Sequence, residues 1–214
     1  MPIQQHININ DSETKIGIWE IEEDETFFLS ALSLYADELA EVATLNARKR
    51  LEWYCGRHLL HQVLGDSDRQ HCKKDIFGKP YLAQDHRHIS LSHSRDFAAV
   101  IVSPHSVGID IQYLTPKIER IATKFMSIEE LDSIATEHRL VQLHVYWGAK
   151  EALYKAYGKR ELDFKKHIFL DAFHFSNDGG QTFGRVAKDD VLLHFKIQYR
   201  MIRDYVLVWC ERQV

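Results

Sequence analysis

Two stretches rich in helix formers, Thr26 to Leu64 and Lys117 to Tyr157, are each followed by a series of short apolar runs separated by turn residues. Helices and then strands, twice in one chain, constrain the fold to α+β, read here as a pseudo-dimer of two similar lobes. Each lobe would pack a long helix on a small, mainly antiparallel sheet. The expected lobes are residues 1–106 and 107–214, with Pro104 and Pro116 near the junction. In the first, Leu51, Cys55, Leu59 and Val63 recur every four residues between Asn46 and a stop at Gly65-Asp66, while Arg50, Arg57 and His61 fall on another face. Strands are expected at Ile16–Ile21, Tyr81-Leu82, Ile89–Ser92, Phe97–Ser103 and Val107–Gln112. In the second, helices are expected at Lys117–Lys124, Ser127–Ile134 and Leu140–Tyr157. Strands should follow at His167–Phe175, Gly184–Ala187, Leu192–Arg200 and Asp204–Glu211.

With 45% hydrophobic and 27% charged residues, the chain of 214 residues has a globular balance. No stretch approaches the ~20 apolar residues of a membrane span, and the N-terminus lacks the basic start and apolar run of a secretory leader. The expectation is a soluble, cytoplasmic protein. Cys55, Cys72 and Cys210, odd in number and widely spaced, read as reduced thiols without assigned chemistry. Charge is unevenly spread. Residues 1–47 hold one base, Lys15, against ten acids, whereas residues 48–95 hold ten bases and five acids. A basic stretch confined within an acidic chain points to a compact anionic ligand rather than duplex nucleic acid.

The chemistry-bearing residues fall in three short segments. Gly78-Lys79-Pro80 marks a turn. Ser92-His93-Ser94 ends one strand, and Gly108-Ile109-Asp110-Ile111-Gln112 forms another, in which alternation sends Ile109 and Ile111 to one face and Asp110 and Gln112 to the other. Taken alone, that pattern also describes an edge strand with a wet polar side. Trp147, Glu151 and Lys155 recur at helical spacing, where a Glu and Lys pair is ordinarily a surface salt bridge worth ~0.2–0.5 kcal/mol. Together the segments place a basic loop, a histidine, an acidic strand and a Glu/Lys helix in one chain, a set suited to a magnesium-complexed pyrophosphate.

Trp147, Lys150, Glu151, Lys155 and Gly158 match the block Trp-x-x-Lys-Glu-(Ala/Ser)-x-x-Lys-x-x-Gly at every signature position. With the other two segments, the chain resembles the 4'-phosphopantetheinyl transferase superfamily in its two-lobed Sfp type, from about Arg48 to Gly158. The resemblance implies an active site in a cleft between the lobes. It implies Mg²⁺ on Asp110, Gln112 and Glu151, with Gln112 standing where many members have Glu. It implies that Lys49, Arg57, Lys79, Pro80, Ser92 and His93 bind the 3'-phosphate and adenine of coenzyme A. Lys150 and Lys155 would add positive charge at the leaving group, and Glu130 matches a carboxylate proposed as base.

The implied reaction is transfer of 4'-phosphopantetheine from coenzyme A to a serine of an apo acyl carrier protein or peptidyl carrier domain, with release of adenosine 3',5'-bisphosphate. Two other readings use the same residues: a non-catalytic module that binds coenzyme A or a carrier protein, and a metal-dependent hydrolase of a nucleotide pyrophosphate. Two lobes in one chain point to a monomer. No aromatic and basic residues interleave as in a nucleic-acid-binding module.

Overall fold

The computed structural model describes residues 3–8 and 13–213, and contacts divide the chain into two units, Met1–Asp75 with Pro80–Pro104 and Ile76–Lys79 with His105–Val214. The first unit begins with β1 (Ile3–Asn8) and β2 (Lys15–Glu20), followed by α1 (Glu25–Ala31), α2 (Ala36–Ala43) and α3 (Ala47–Leu64). Local side chains set the helix starts. Asp24 accepts hydrogen bonds from the amides of Thr26 and Phe27, and Asn46 accepts from the amide of Lys49. Gly65, at φ 71°, closes α3 in the left-handed conformation that disfavours a side chain.

Short β3 (Cys72–Lys74) and β4 (Pro80–Leu82) pair with each other. Next come β5 (His88–Ser94) and β6 (Phe97–Ser103), which complete an antiparallel sheet in the order β1-β2-β6-β5. The stripe read from the sequence is the buried one: Cys55, Leu59 and Val63 of α3 join Ala98, Val100 and Val102 of β6 in one core. Each fully buried aliphatic side chain there contributes about 1.5–3 kcal/mol.

The second unit opens with β7 (Val107–Tyr113). A 3-10 turn at Pro116–Arg120, α4 (Ala122–Phe125), α5 (Ile128–Asp132), a second 3-10 turn at Thr136–His138 and α6 (Arg139–Tyr157) follow. Its sheet is completed by β8 (Ile168–Leu170), β9 (Gly180–Lys188), β10 (Val191–Ile202) and β11 (Tyr205–Arg212), in the antiparallel order β7-β11-β10-β9-β8. Mixed helices and antiparallel sheets make the fold α+β. The strand expected at His167–Phe175 is reduced to three residues. Beyond it, Phe173 and Phe175 pack on Tyr199, at ring separations of 5.6 and 5.8 Å, instead of continuing the ladder.

Gly108 controls how closely β7 approaches α6. A Cβ there would lie 1.9 Å from the carbonyl oxygen of Ala152, so only glycine lets the strand lie against the helix backbone. By alternation Asp110 shares that face, while Ile109 and Ile111 occupy the opposite one. β7 is an edge strand, yet Asp110 is only 2% exposed. The wet polar edge allowed by the sequence pattern is replaced by a carboxylate buried against α6.

Candidate active site

The second unit gathers Asp110, Gln112, Glu151 and Lys155. Asp110 Oδ1 accepts from Lys155 Nζ at 2.7 Å, and Oδ2 accepts from Gln112 Nε2 at 2.8 Å. Lys155 also donates to the carbonyl of Ile109 at 2.9 Å. Its ammonium is thus tied both to the strand backbone and to the strand's carboxylate. Glu151, one turn earlier on α6, is half-buried and accepts no hydrogen bond among the described residues. Burial, and then the negative charge of Asp110, push its pKa up, partly opposed by Lys155.

Two carboxylates close enough to repel, one of them without a hydrogen-bond donor, form a site that a hard cation would relieve. The amide oxygen of Gln112 is a third oxygen donor, because its nitrogen is directed at Asp110. Among the described residues no group of three or more His, Cys, Asp or Glu side chains is arranged to hold a metal ion. The set here is two carboxylates and an amide, which fits Mg²⁺, an ion that keeps several waters and takes one or two protein carboxylates.

Lys150 and Glu130 form a second cluster. Lys150 is fully buried and donates to Glu130 Oε2 at 2.7 Å and to the carbonyls of Phe164 and Ile168, each at 2.9 Å. Desolvation holds its pKa below the ordinary lysine value despite the favourable carboxylate. Glu130 also accepts the amide hydrogens of Ser127 and Leu170, at 2.9 and 3.2 Å. Three ammonium hydrogens and both carboxylate oxygens are therefore engaged in joining α5, α6 and β8. The pair, to which the resemblance gives leaving-group and base roles, is buried and bonded within the second unit.

In the first unit, Lys49, Arg57, Pro80, Ser92 and His93 line a cavity of about 440 Å³. Glu52 and Trp53, not singled out from the sequence, line it too. Glu52 Oε2 lies 3.2 Å from His93 Nδ1, and the Arg57 guanidinium lies 4.7 Å from the Trp53 ring centre. Arg57 is fixed from behind by buried Glu38 at 3.6 Å, which also binds Arg69. Lys79 is placed differently. It belongs to the second unit, where its Nζ donates to the carbonyl of Ala156 at 2.6 Å.

The three cysteines are buried and unpaired; burial pushes up all three thiol pKa values, that of Cys210 to about 12, which leaves them protonated and unreactive. No helix among the described residues is long and apolar enough to cross a membrane.

Residues 106–210, which carry Asp110, Gln112, Glu151 and Lys155, match the family model described as the 4'-phosphopantetheinyl transferase superfamily. Over that segment, just under half of its length, the chain is similar to the 4'-phosphopantetheinyl transferase superfamily. It is 33% identical over 113 residues to the 4'-phosphopantetheinyl transferase gsp of Aneurinibacillus migulanus, covering 51% of this chain and 45% of the relative. To the 4'-phosphopantetheinyl transferase of Bacillus subtilis it is 32% identical over 87 residues, 39% of each chain. To the 4'-phosphopantetheinyl transferase psf-1 of Bacillus pumilus it is 32% identical over 108 residues, 48% of this chain and 46% of that one. The chain spans less than half the length of each of these relatives. The helix within the matching segment is α6, whose Glu151 and Lys155 stand beside the strand carboxylate and whose Lys150 turns into the core.

Proposed function

We propose that the protein transfers the 4'-phosphopantetheine group of coenzyme A to a serine hydroxyl of an apo carrier protein, acyl or peptidyl, and does so as a cytoplasmic monomer. The observation that carries this reading is the Asp110–Gln112–Glu151–Lys155 cluster, built on the segment that matches the superfamily. The serine oxygen would form a bond to the phosphorus that bears the pantetheine arm. The pyrophosphate bond on its far side would break, and adenosine 3',5'-bisphosphate would depart with the electron pair.

Asp110 and Glu151, with the amide oxygen of Gln112, would hold Mg²⁺, which when bound supplies positive charge to the pyrophosphate oxygens. Lys155, 27% exposed at its side chain, pairs with Asp110 and adds a second positive charge reachable from solvent. Glu151, which accepts no hydrogen bond among the described residues, is the carboxylate placed to accept the serine proton. Lys49, Arg57, Ser92 and His93 would hold the 3'-phosphate, with Pro80 and Trp53 against the adenine. Glu130 and Lys150 are assigned to holding α6 in place.

The test is release of adenosine 3',5'-bisphosphate from coenzyme A with Mg²⁺, in the presence and absence of an apo carrier. Release that requires the carrier supports transfer. Release at the same rate without a carrier would replace this reading with pyrophosphate hydrolysis, and no release beside retained coenzyme A binding would leave a binding module.

A further inference from the structure

We propose that Lys79 is a positioning residue for α6, acting on Lys155 through the helix C-terminus rather than on coenzyme A directly; the inference rests on the transfer reading above. Helix C-terminal carbonyls lack intrahelical donors and attract cations. The Ala156 carbonyl, one residue after Lys155, receives both Lys79 Nζ at 2.6 Å and Ser106 Oγ at 2.9 Å. The strand leading into Asp110 and the Gly-Lys-Pro turn therefore converge on one acceptor.

The turn is held in return. Arg160 Nε donates to the carbonyl of Phe77 at 3.0 Å, so the segment Ile76–Lys79 and the end of α6 are joined by hydrogen bonds running in both directions. Gly158 makes this contact possible. It ends α6 at φ 72°, and a Cβ there would lie 2.2 Å from Lys79 Cδ. The signature glycine thus meets a second demand beyond its left-handed backbone: it leaves room for the lysine stem to lie across the helix end. Lys155, in the turn so fastened, must reach both the Ile109 carbonyl and Asp110, and a misplacement of about 1 Å at a reacting group can cost on the order of a hundredfold in rate.

The experiment compares Lys79→Met, which keeps the stem but not the charge, with Lys79→Arg, in steady-state kinetics, in calorimetric binding of adenosine 3',5'-bisphosphate, and in amide hydrogen exchange of residues 150–158. The expected result for Lys79→Met is a kcat lower by about tenfold to a hundredfold, with KM for coenzyme A and nucleotide affinity within about twofold of wild type on the same argument. Exchange in the last turn of α6 should be faster, and Lys79→Arg should restore both kcat and protection. A nucleotide affinity that falls tenfold or more while kcat at saturation and exchange are unchanged would overturn the proposal and make Lys79 a phosphate ligand. If the wild-type protein shows no transfer, the functional reading fails on its own, and unchanged exchange in Lys79→Met would then separately sink the role assigned to Lys79.

Discussion

Replacing Lys150 by Met keeps the volume of the stem but removes an ammonium with no exposed surface and three acceptors within 2.9 Å. Glu130, 7% exposed, would be left with only the amides of Ser127 and Leu170, and the Phe164 and Ile168 carbonyls would each lose a donor. Breaking a buried ion pair from one side costs about 3–5 kcal/mol, because the remaining charge is uncompensated. Each stranded carbonyl is worth about 1–3 kcal/mol where water cannot reach it. Methionine packing recovers part of this, since the lysine's own desolvation cost is removed as well. The expected loss is therefore about 3–5 kcal/mol, read as a lower urea midpoint at unchanged slope. Lys150→Met with Glu130→Gln should recover part of the loss by removing the unpaired charge. A Lys150→Met protein of wild-type stability that has lost transfer would refute the anchoring argument and return Lys150 to direct chemistry.

Asp110→Asn and Glu151→Gln should each lower transfer by about a hundredfold or more, while melting temperatures in the absence of metal stay within a few degrees; a thermal shift series with Mg²⁺ should stabilise wild type and not Glu151→Gln. Gly108→Ala places a methyl on the α6 backbone and should cost about 1–3 kcal/mol or more in unfolding experiments, with reduced transfer as β7 is displaced. His58 lies among Trp19, Phe27 and Phe28 with its Nδ1 unpartnered among the described residues, and burial followed by His61 lowers its pKa from 6.5. The unfolded chain then binds the proton first as pH falls. Stability contributed by neutral His58 is complete above the ordinary histidine range and declines as pH drops below 6.5. Urea unfolding between about pH 8 and 5 should show that decline, and His58→Gln should flatten it.

Much of this architecture was legible because local rules decided it. Asn46 and Gly65 bound α3, and the four-residue stripe from Leu51 to Val63 marked its buried side. Asp110 and Gln112 share a face because strands alternate, and Glu151 and Lys155 lie one turn apart because helices do. What sequence could not decide was depth. Alternation gives Asp110 a face but not its cover, which follows from Gly108 meeting Ala152 across long sequence separation. The depth of Lys150 did carry a signal: Leu143, Tyr146, Lys150 and Leu153 form a stripe at helical spacing, and all four are buried. Glu52 and Trp53 in the first cavity carried no such signal, since both sit on a helix whose other faces are also charged and aromatic.

The most direct measurement is intact-mass spectrometry of an apo carrier protein incubated with this protein, coenzyme A and Mg²⁺, beside a chelator control. The account predicts a gain of one phosphopantetheine that disappears with the chelator and with Asp110→Asn. An unmodified carrier across acyl and peptidyl types, or a gain that survives both controls, would contradict it.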